Sequence, residues 1–348
     1  MSADRLVGET KAVAAETTGS GRVEHRAGRR EQVAGLLQRG AVFLVLAVAI
    51  VAGSVAFGGS FASVENFRNI AISSSFLALI AIGMTFVIIG GGIDLSVGSL
   101  LALAGVLAAY GSRQGSLVAI LLPLAVCGAI GLVNGLLIAR ARMAPFIVTL
   151  AALLFARGAA FAVSDEGNTT YLIKPGMAVT ELGQGAVLGL GVPVLFAIAA
   201  FLIGLVVLNR TGYGQAVFAI GGSEDAAQLM GLPVARIKVL VYVASAMLAG
   251  LAGLAGILVA ARSSSGLPTL GAGLELEAIA AVVIGGTLLS GGAGSLTGTL
   301  AGVLLLGVIQ NLINQVGTLS SYYQQVVSGA FLIVVVVIQT YLSRRRRL

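Results

Sequence analysis

The sequence predicts an all-α, polytopic integral membrane protein, because it is too apolar for a soluble surface and its apolar residues are gathered into long runs. Of the 348 residues, 57% are hydrophobic and only 10% are charged. The runs are roughly 18 to 24 residues long, and about 20 helical residues cross the hydrocarbon layer of a bilayer. The 49 glycines predict helices that pack closely through small residues.

Ten apolar runs predict about ten transmembrane helices. In chain order they are Gly40–Phe57, Ile70–Ile89, Leu95–Tyr110, Leu117–Ala139, Phe146–Val163, Ala186–Leu208, Ile237–Ala261, Leu276–Leu289, Leu296–Ile313 and Tyr322–Leu342. An even number of crossings places both termini on one side. We therefore expect a disordered cytoplasmic tail over residues 1–39, a membrane domain over 40–342 and a basic cytoplasmic tail over 343–348.

The positions of the basic residues support this topology. With both termini inside, sixteen of the 21 Lys and Arg residues fall in cytoplasmic segments: Arg5, Lys11, Arg22, Arg26, Arg29, Arg30, Arg39, Arg140, Arg142, Arg210, Arg236, Lys238 and Arg344 to Arg347. Four fall outside, at Arg68, Arg113, Lys174 and Arg262. Cytoplasmic loops carry such an excess, so the net charge of +7 indicates membrane orientation and not nucleic-acid binding.

A glycine-rich segment with one carboxylate separates the second and third predicted helices. Three glycines, 90 to 92, break the helix, and Asp94 stands directly before Leu95-Ser96. We predict that Asp94 is the N-cap of the third helix. A compatible interpretation is that the broken helix lines a polar path. The candidate residues of this path are Gly91, Gly92, Asp94, Ser96, Gly98 and Ser99, with Asn134 on the fourth helix.

The pattern recurs weakly towards the C-terminus. Gly83-Met84-Thr85, followed by glycines 90 to 92, resembles Gly285-Gly286-Thr287, followed by Gly291-Gly292. Transporters often carry such repeats, although chance similarity in glycine-rich sequence explains the likeness almost as well. Glycines four residues apart, at Gly131 and Gly135 and at Gly294, Gly298 and Gly302, predict close helix packing.

A short, well-bounded helix is predicted between the sixth and seventh crossings. Ser223 is a favourable N-cap, and Glu224 and Asp225 suit the positive end of the helix dipole. Gly231 can end the helix in the left-handed conformation. Ala226, Leu229 and Met230 form an apolar stripe on this helix. The stripe either binds a partner or packs on this protein's own helix ends, and local sequence favours neither. The candidate residues of the helix and its caps are Ser223, Glu224, Asp225, Ala226, Ala227, Leu229, Met230 and Gly231.

Several kinds of chemistry lack their residues in this sequence. His25, the single histidine, stands in the polar tail, and Cys127, the single cysteine, stands in an apolar run. We therefore expect no catalytic residues, no metal site and no intrachain disulfide. The phosphate-binding pattern Gly-x-x-x-x-Gly-Lys-Ser/Thr occurs nowhere, so we expect no nucleotide cofactor bound by this loop.

These motifs together resemble the membrane permeases of ribose-type ABC importers, a family related to branched-chain amino-acid permeases. The resemblance rests on residues 83–99, Asn134-Gly135, residues 145–150, Arg157-Gly158 and the C-terminal Gly285–Thr287 and Ser321–Gln324. It extends over roughly residues 40–342. In this family an Ala-Ala-x-x-x-Gly helix docks on the ATPase, and Ala226, Ala227 and Gly231 match that pattern.

The resemblance implies a multi-pass subunit of the bacterial cytoplasmic (inner) membrane that imports a ribose-like monosaccharide by alternating access. It implies three protein partners besides membrane lipid: a second permease copy, an ATP-binding subunit with two nucleotide-binding domains and an extracytoplasmic solute-binding protein. ATP and Mg²⁺ would be bound by the ATPase, so the permease itself is not an enzyme. The alternative is a secondary transporter of a small polar solute driven by an ion gradient.

Overall fold

The structure, a computed structural model, describes residues 42–317 except residues 170, 173–176, 178–184, 188 and 264, together with Gly40 and isolated positions between 323 and 337. Within residues 252–266 it describes only the backbone. The predicted tails and most of the predicted helix Tyr322–Leu342 lie outside the described residues.

The described chain is mostly helical. Its helices are α1 (Val42–Ser60), α2 (Val64–Ile89), α3 (Val97–Gly111), α4 (Ser116–Ala139), α5 (Pro145–Val163), α6 (Val192–Arg210), α7 (Gly212–Gly222), α8 (Glu224–Leu229), α9 (Val234–Ser263), α10 (Leu274–Ile284) and α11 (Leu296–Val316). Two-residue strands form two small antiparallel pairs: β1 (Tyr171–Leu172) with β4 (Ser265–Gly266), and β2 (Ala186–Val187) with β3 (Leu190–Gly191).

Seven of these helices are long and apolar enough to span a membrane: α1, α2, α4, α5, α6, α9 and α11. Seven helices of this length and composition are consistent with a polytopic membrane protein. The first five predicted crossings and the seventh and ninth match helices to within six residues at each end. In α9 the candidate span is Val234–Leu251, the part of the helix whose side chains the structure describes.

Two predicted crossings were wrong in extent. The sixth does not begin at Ala186, because Ala186–Val187 pairs with Leu190–Gly191 as β2 and β3, and α6 begins at Val192. The eighth does not reach Leu289, because Gly286 adopts a φ of 91° that ends α10 at Ile284. Both errors arise where apolar residues and glycine occur together, since that composition suits a membrane helix and a turn equally.

The shortest apolar helices form the centre of the bundle. In α3 every residue except Tyr110 is buried, and Ala278 to Ile284 of α10 are buried without exception. The long helix α9 packs against α2, α3 and α4, while α11 packs against α2 and α10. In contrast, α1 exposes large apolar side chains such as Leu44 and Val55. In a membrane protein such side chains face lipid, so α1 lies at the periphery.

Glycines allow the closest helix contacts, as the four-residue spacing predicted. A Cβ at Gly131 of α4 would overlap that of Ala246 on α9, and one at Gly135 would lie 2.9 Å from the Val239 Cα. On α11, Gly298 faces the backbone of Gly285 and Gly302 faces the carbonyl of Ala281. The predicted packing role of these glycines is confirmed.

Candidate functional site

Asp94 is completely buried in the segment between α2 and α3. Its Oδ1 accepts hydrogen bonds from the Ser96 backbone N–H at 3.0 Å and the Ser96 hydroxyl at 2.6 Å. Its Oδ2 accepts from the Ser245 hydroxyl of α9 at 2.9 Å. The prediction that Asp94 caps α3 was wrong, because the N-cap is Ser96. The carboxylate instead connects the start of α3 to α9.

The two glycines before Asp94 are there for different reasons. Gly91 has a φ of 80°, which L-residues with side chains rarely adopt, and it reverses the chain after α2. A Cβ at Gly92 would overlap the Tyr242 hydroxyl of α9. Further along, Gly98 lies so close to the Gly271 carbonyl and the Glu275 carboxylate that a side chain would clash with both. These glycines therefore allow α2 and α3 to approach α9 and the segment before α10.

The segment after α10 makes a similar turn, and the two turns are in contact. Gly291 and Gly292 have φ values of 83° and 73°. The Gly292 N–H donates to the Ile89 carbonyl oxygen at 2.9 Å, and a Cβ at Gly291 would lie 2.9 Å from the Gly91 Cα. The hydroxyl of Thr85, in the first motif, lies 2.9 Å from the hydroxyl of Thr299 on α11. The repeated motifs thus lie side by side in the fold.

A third glycine, Gly221 near the end of α7, contacts both turns. A Cβ at Gly221 would overlap the Ile89 carbonyl oxygen and lie 2.7 Å from the Gly292 nitrogen. We call the meeting of Ile89, Gly91, Gly221, Gly291 and Gly292 the glycine junction. Gly221 stands only two residues before Ser223, the N-cap of α8. The glycine junction therefore connects both turns to the start of the short helix.

The short helix α8 has the caps that the sequence predicts. The Ser223 hydroxyl accepts a hydrogen bond from the Ala226 N–H at 3.3 Å. Gly231 follows the helix with a φ of 79°. Glu224 forms an ion pair with Lys238 of α9 at 2.5 Å. This ion pair and the cap fix the orientation of α8 against the start of α9.

One face of α8 contacts the protein and the other is free. Ala227 is completely buried, whereas Ser223 through Ala226 are exposed. Leu229 is 89% exposed and Met230 is 68% exposed. The predicted stripe of Ala226, Leu229 and Met230 is exposed, so it does not pack on this protein's own helices; the side chain that does so is Ala227, outside the stripe. A pair of exposed large apolar side chains on a polar helix is typical of a binding surface.

The remaining candidate path residues are not gathered around Asp94. Ser99 is buried in α3 with no hydrogen-bond partner among the described residues. Asn134 is buried in α4 and faces a groove between α4 and α5, lined by Val133, Ile147 and Phe155 among others. Arg157, whose partner was left open, donates from Nη1 to the carbonyls of Pro268 and Leu270, both at 2.7 Å. Asn134 is therefore not part of the Asp94 site.

Several site residues escaped the sequence analysis. Ser245, Tyr242 and Lys238 all lie on α9 and contact Asp94, Gly92 and Glu224 across more than ten residues of sequence. Nothing local marks them. The pair Gly221-Gly222 directly before the Ser223 cap was the one available signal, since adjacent glycines favour close backbone contact. Among the described residues, no three His, Cys, Asp or Glu side chains come together as metal ligands would.

A family comparison assigns this arrangement to a class of proteins. The family model for the permease component of branched-chain amino acid transport systems matches residues 66–336, which include both glycine turns and α8. The chain belongs to this permease family. The match covers α3 to α11 completely and α2 except for its first two residues. Among the described helices, α1 lies outside it.

Curated relatives of the permease agree with this assignment. The ribose import permease of Bacillus subtilis (strain 168) is 40% identical over 306 residues, covering 87% of this chain and 93% of that protein. The ribose import permease of Escherichia coli (strain K12) is 40% identical over 305 residues, covering 86% and 92%. The L-arabinose ABC transporter permease of Azospirillum brasilense is 35% identical over 314 residues, covering 90% of each. No solved structure matches the chain.

Proposed function

We propose that this permease is the transmembrane subunit of an ABC importer that carries a ribose-like monosaccharide into the cell, powered by a separate ATP-binding subunit. The observation that carries the proposal is the position of α8. Its Leu229 and Met230 are exposed, and Gly221 just before it contacts both glycine turns. Relatives named for ribose import and for L-arabinose transport support a monosaccharide as the substrate.

In this proposal α8 is the coupling helix. A partner ATPase would bind the exposed Leu229 and Met230, while Ala227 and the Glu224–Lys238 ion pair hold α8 to the permease. A displacement of α8 would reach Gly221 through only two residues. From there backbone contacts lead directly to Ile89 and Gly292, so both turns would shift with it. Such a chain of packed backbone can exchange two discrete arrangements, as alternating access requires.

The proposal includes the finer topology and the assembly. Ten crossings would place both termini and α8 in the cytoplasm of a bacterial cell, with the permease in the inner membrane; the distribution of basic residues supports this. A second permease copy would complete the path. A solute-binding protein would deliver the sugar on the side away from α8, and ATP and Mg²⁺ would be bound by the two nucleotide-binding domains of the ATPase.

The deciding experiment measures sugar uptake into proteoliposomes that contain the permease, its cognate ATPase and its cognate binding protein. We expect uptake of D-ribose or L-arabinose that requires ATP and persists when ionophores collapse every ion gradient. The alternative, a secondary transporter, gives the opposite result: uptake without ATP that stops with the ionophores. That result, or no uptake of either sugar with a functional binding protein present, would overturn the proposal.

A further inference from the structure

A partly enclosed cavity with a mostly apolar lining and a few polar side chains lies in the half of the bundle away from α8. It is formed where the middle of α2, the start of α10 and the later part of α11 meet, and its volume is about 140 Å³. A single water needs only about 10–15 Å³ by the same measure, so the cavity can hold a small molecule. Its lining includes Ser74, Phe76, Leu101, Leu270, Glu277 and Gln310.

The polar groups of this cavity are expensive for a membrane protein to keep there. Glu277 is half-buried, and its Oε2 accepts a hydrogen bond from the Gln310 amide at 3.1 Å. The one ion pair among the described residues is that of Glu224 with Lys238, so Glu277 has no cationic partner there. Partly buried carboxylates without a counter-ion are uncommon in membrane domains, and those that occur are usually functional.

Ser74 provides a second, independent observation. It is 95% buried, since only 5% of its surface is exposed, and its hydroxyl has no hydrogen-bond partner among the described residues. Ser74 is one of the residues that line the cavity, and its hydroxyl packs against Gly307 of α11, where any side chain would collide with it. A buried hydroxyl without a partner costs free energy unless a ligand satisfies it. The absence of a side chain at Gly307 leaves room for this hydroxyl.

The chemistry of the lining selects a class of ligand. A carboxylate offers only acceptors, an amide offers a donor and an acceptor, and a hydroxyl offers both. Together they match neighbouring hydroxyl groups of a neutral ligand, while Phe76 and Leu101 supply an apolar wall, as small-molecule sites usually have. An anionic ligand would meet the Glu277 carboxylate and be repelled. The wall at Leu270 is fixed by Arg157, which binds the Pro268 and Leu270 carbonyls.

We infer that this cavity is a sugar subsite of the permease, in which Glu277, Gln310 and Ser74 bind the hydroxyl groups of a neutral monosaccharide. The inference rests on the proposed function, because it assigns the cargo of that function to particular residues. The cavity lies on the side from which the solute-binding protein would deliver sugar. It is therefore the first site that the sugar would occupy within the permease.

Direct binding tests the inference without transport. The chain contains no tryptophan, so Phe76→Trp places a single fluorescent reporter in the wall of the cavity. Titration of the purified full-length Phe76→Trp permease with D-ribose and with L-arabinose should give a saturable change for at least one of them. D-ribose 5-phosphate should give none. The change should be lost in Phe76→Trp/Glu277→Gln and kept in Phe76→Trp/Glu65→Gln, because Glu65 is an exposed acid at the start of α2 outside the cavity.

Uptake in the reconstituted importer separates this inference from the proposed function. Glu277→Gln should lower the uptake rate at limiting sugar about tenfold and Ser74→Ala about threefold, as lost hydrogen bonds to a ligand predict, with Glu65→Gln unchanged. Wild-type uptake with undiminished rates in Glu277→Gln and Ser74→Ala would overturn the subsite and leave the function intact. The absence of any saturable fluorescence change with either sugar would also overturn it. No wild-type uptake of either sugar would overturn the function itself.

Discussion

The Gly292 N–H donates a hydrogen bond to the Ile89 carbonyl oxygen at 2.9 Å, which joins the turn after α10 to the turn after α2. Gly221 packs directly over this bond, so that a Cβ there would touch both of its ends. Any separation of the two turns would therefore change the contacts of Gly221. It is also only two residues from the cap of α8, the proposed docking helix.

Gly221→Ala should disrupt the glycine junction. The added methyl group would overlap the Ile89 carbonyl oxygen, and backbone atoms would have to move to admit it. We expect a loss of about 1–3 kcal/mol in the free energy of unfolding, as for other overpacked sites, and a strong loss of ATP-dependent uptake. Thermal unfolding in detergent and uptake in proteoliposomes measure the two effects.

Gly222→Ala is the matched control for this variant. Its Cβ would have no atom within 4 Å, and its backbone φ is not positive. Unfolding temperature and uptake should therefore stay at the wild-type values. If Gly221→Ala and Gly222→Ala had the same unfolding temperature and the same uptake, the glycine junction would contribute neither to stability nor to transport.

Asp94→Ala tests the role of the buried carboxylate as a link between α3 and α9. The substitution leaves the Ser96 N–H and the hydroxyls of Ser96 and Ser245 without their acceptor. Buried groups without a partner cost about 1–3 kcal/mol each, so we expect a loss of at least about 2 kcal/mol. Ser245→Ala removes one bond and should cost less. Thermal unfolding of the purified permease measures both losses.

Asp225→Ala serves as the comparison for Asp94→Ala. Asp225 is an exposed acid on α8, and exposed substitutions usually change stability by less than about 0.5 kcal/mol. If Asp94→Ala unfolds at the same temperature as Asp225→Ala, the buried carboxylate is not a structural link.

The sequence predicted features that short segments encode and missed those that distant residues create. The apolar runs were long enough to locate most helices, and the cap at Ser223 and the glycine at 231 bounded α8 correctly. The bond from Ser245 to Asp94 joins residues 151 positions apart, and no local pattern marks it. The early end of α10 depends on the positive φ of Gly286, which composition does not reveal.

The same limit applies to the candidate site. The sequence singled out Gly91, Gly92 and Asp94, because a carboxylate and a helix break are costly in an apolar sequence. Their common neighbour α9 was not, since Tyr242 and Ser245 are ordinary residues of an apolar helix. Asn134 matched the polar pattern equally well, yet it lies in a groove between α4 and α5. Residue type alone therefore could not decide which polar side chains meet.

Gly131→Ala should weaken the contact between α4 and α9. The new methyl group would overlap the Ala246 Cβ and lie 2.9 Å from the Tyr242 carbonyl oxygen. We expect a loss of about 1–3 kcal/mol in the free energy of unfolding, measured by thermal unfolding in detergent.

One helical turn earlier, Gly128→Ala provides the control. Its Cβ would lie 3.6 Å from the Met247 Cγ, which is ordinary van der Waals contact. Alanine favours a helix over glycine by up to about 1 kcal/mol, so this variant should be as stable as wild type or slightly more stable. A loss of stability at Gly128→Ala equal to that at Gly131→Ala would show that close approach is not what position 131 provides.

The exposed pair on α8 should contribute to partner binding and not to folding. Leu229 and Met230 are 89% and 68% exposed, so the double substitution Leu229→Ser/Met230→Ser removes little contact within the permease. Its unfolding temperature should stay close to wild type. Co-purification with the ATPase subunit should fall at least about tenfold, since exposed apolar anchors at an interface often contribute 2 kcal/mol or more.

Met143→Ser tests whether this effect is specific to α8. Met143 is 42% exposed in the segment between α4 and α5, which the proposed topology places on the same side of the membrane. The substitution removes an exposed methionine without altering α8, so the ATPase should co-purify as with wild type. Retention of the ATPase by Leu229→Ser/Met230→Ser at the wild-type level would rule out this face of α8 as the docking surface. Loss in both variants would instead indicate a broad contact across that side of the permease.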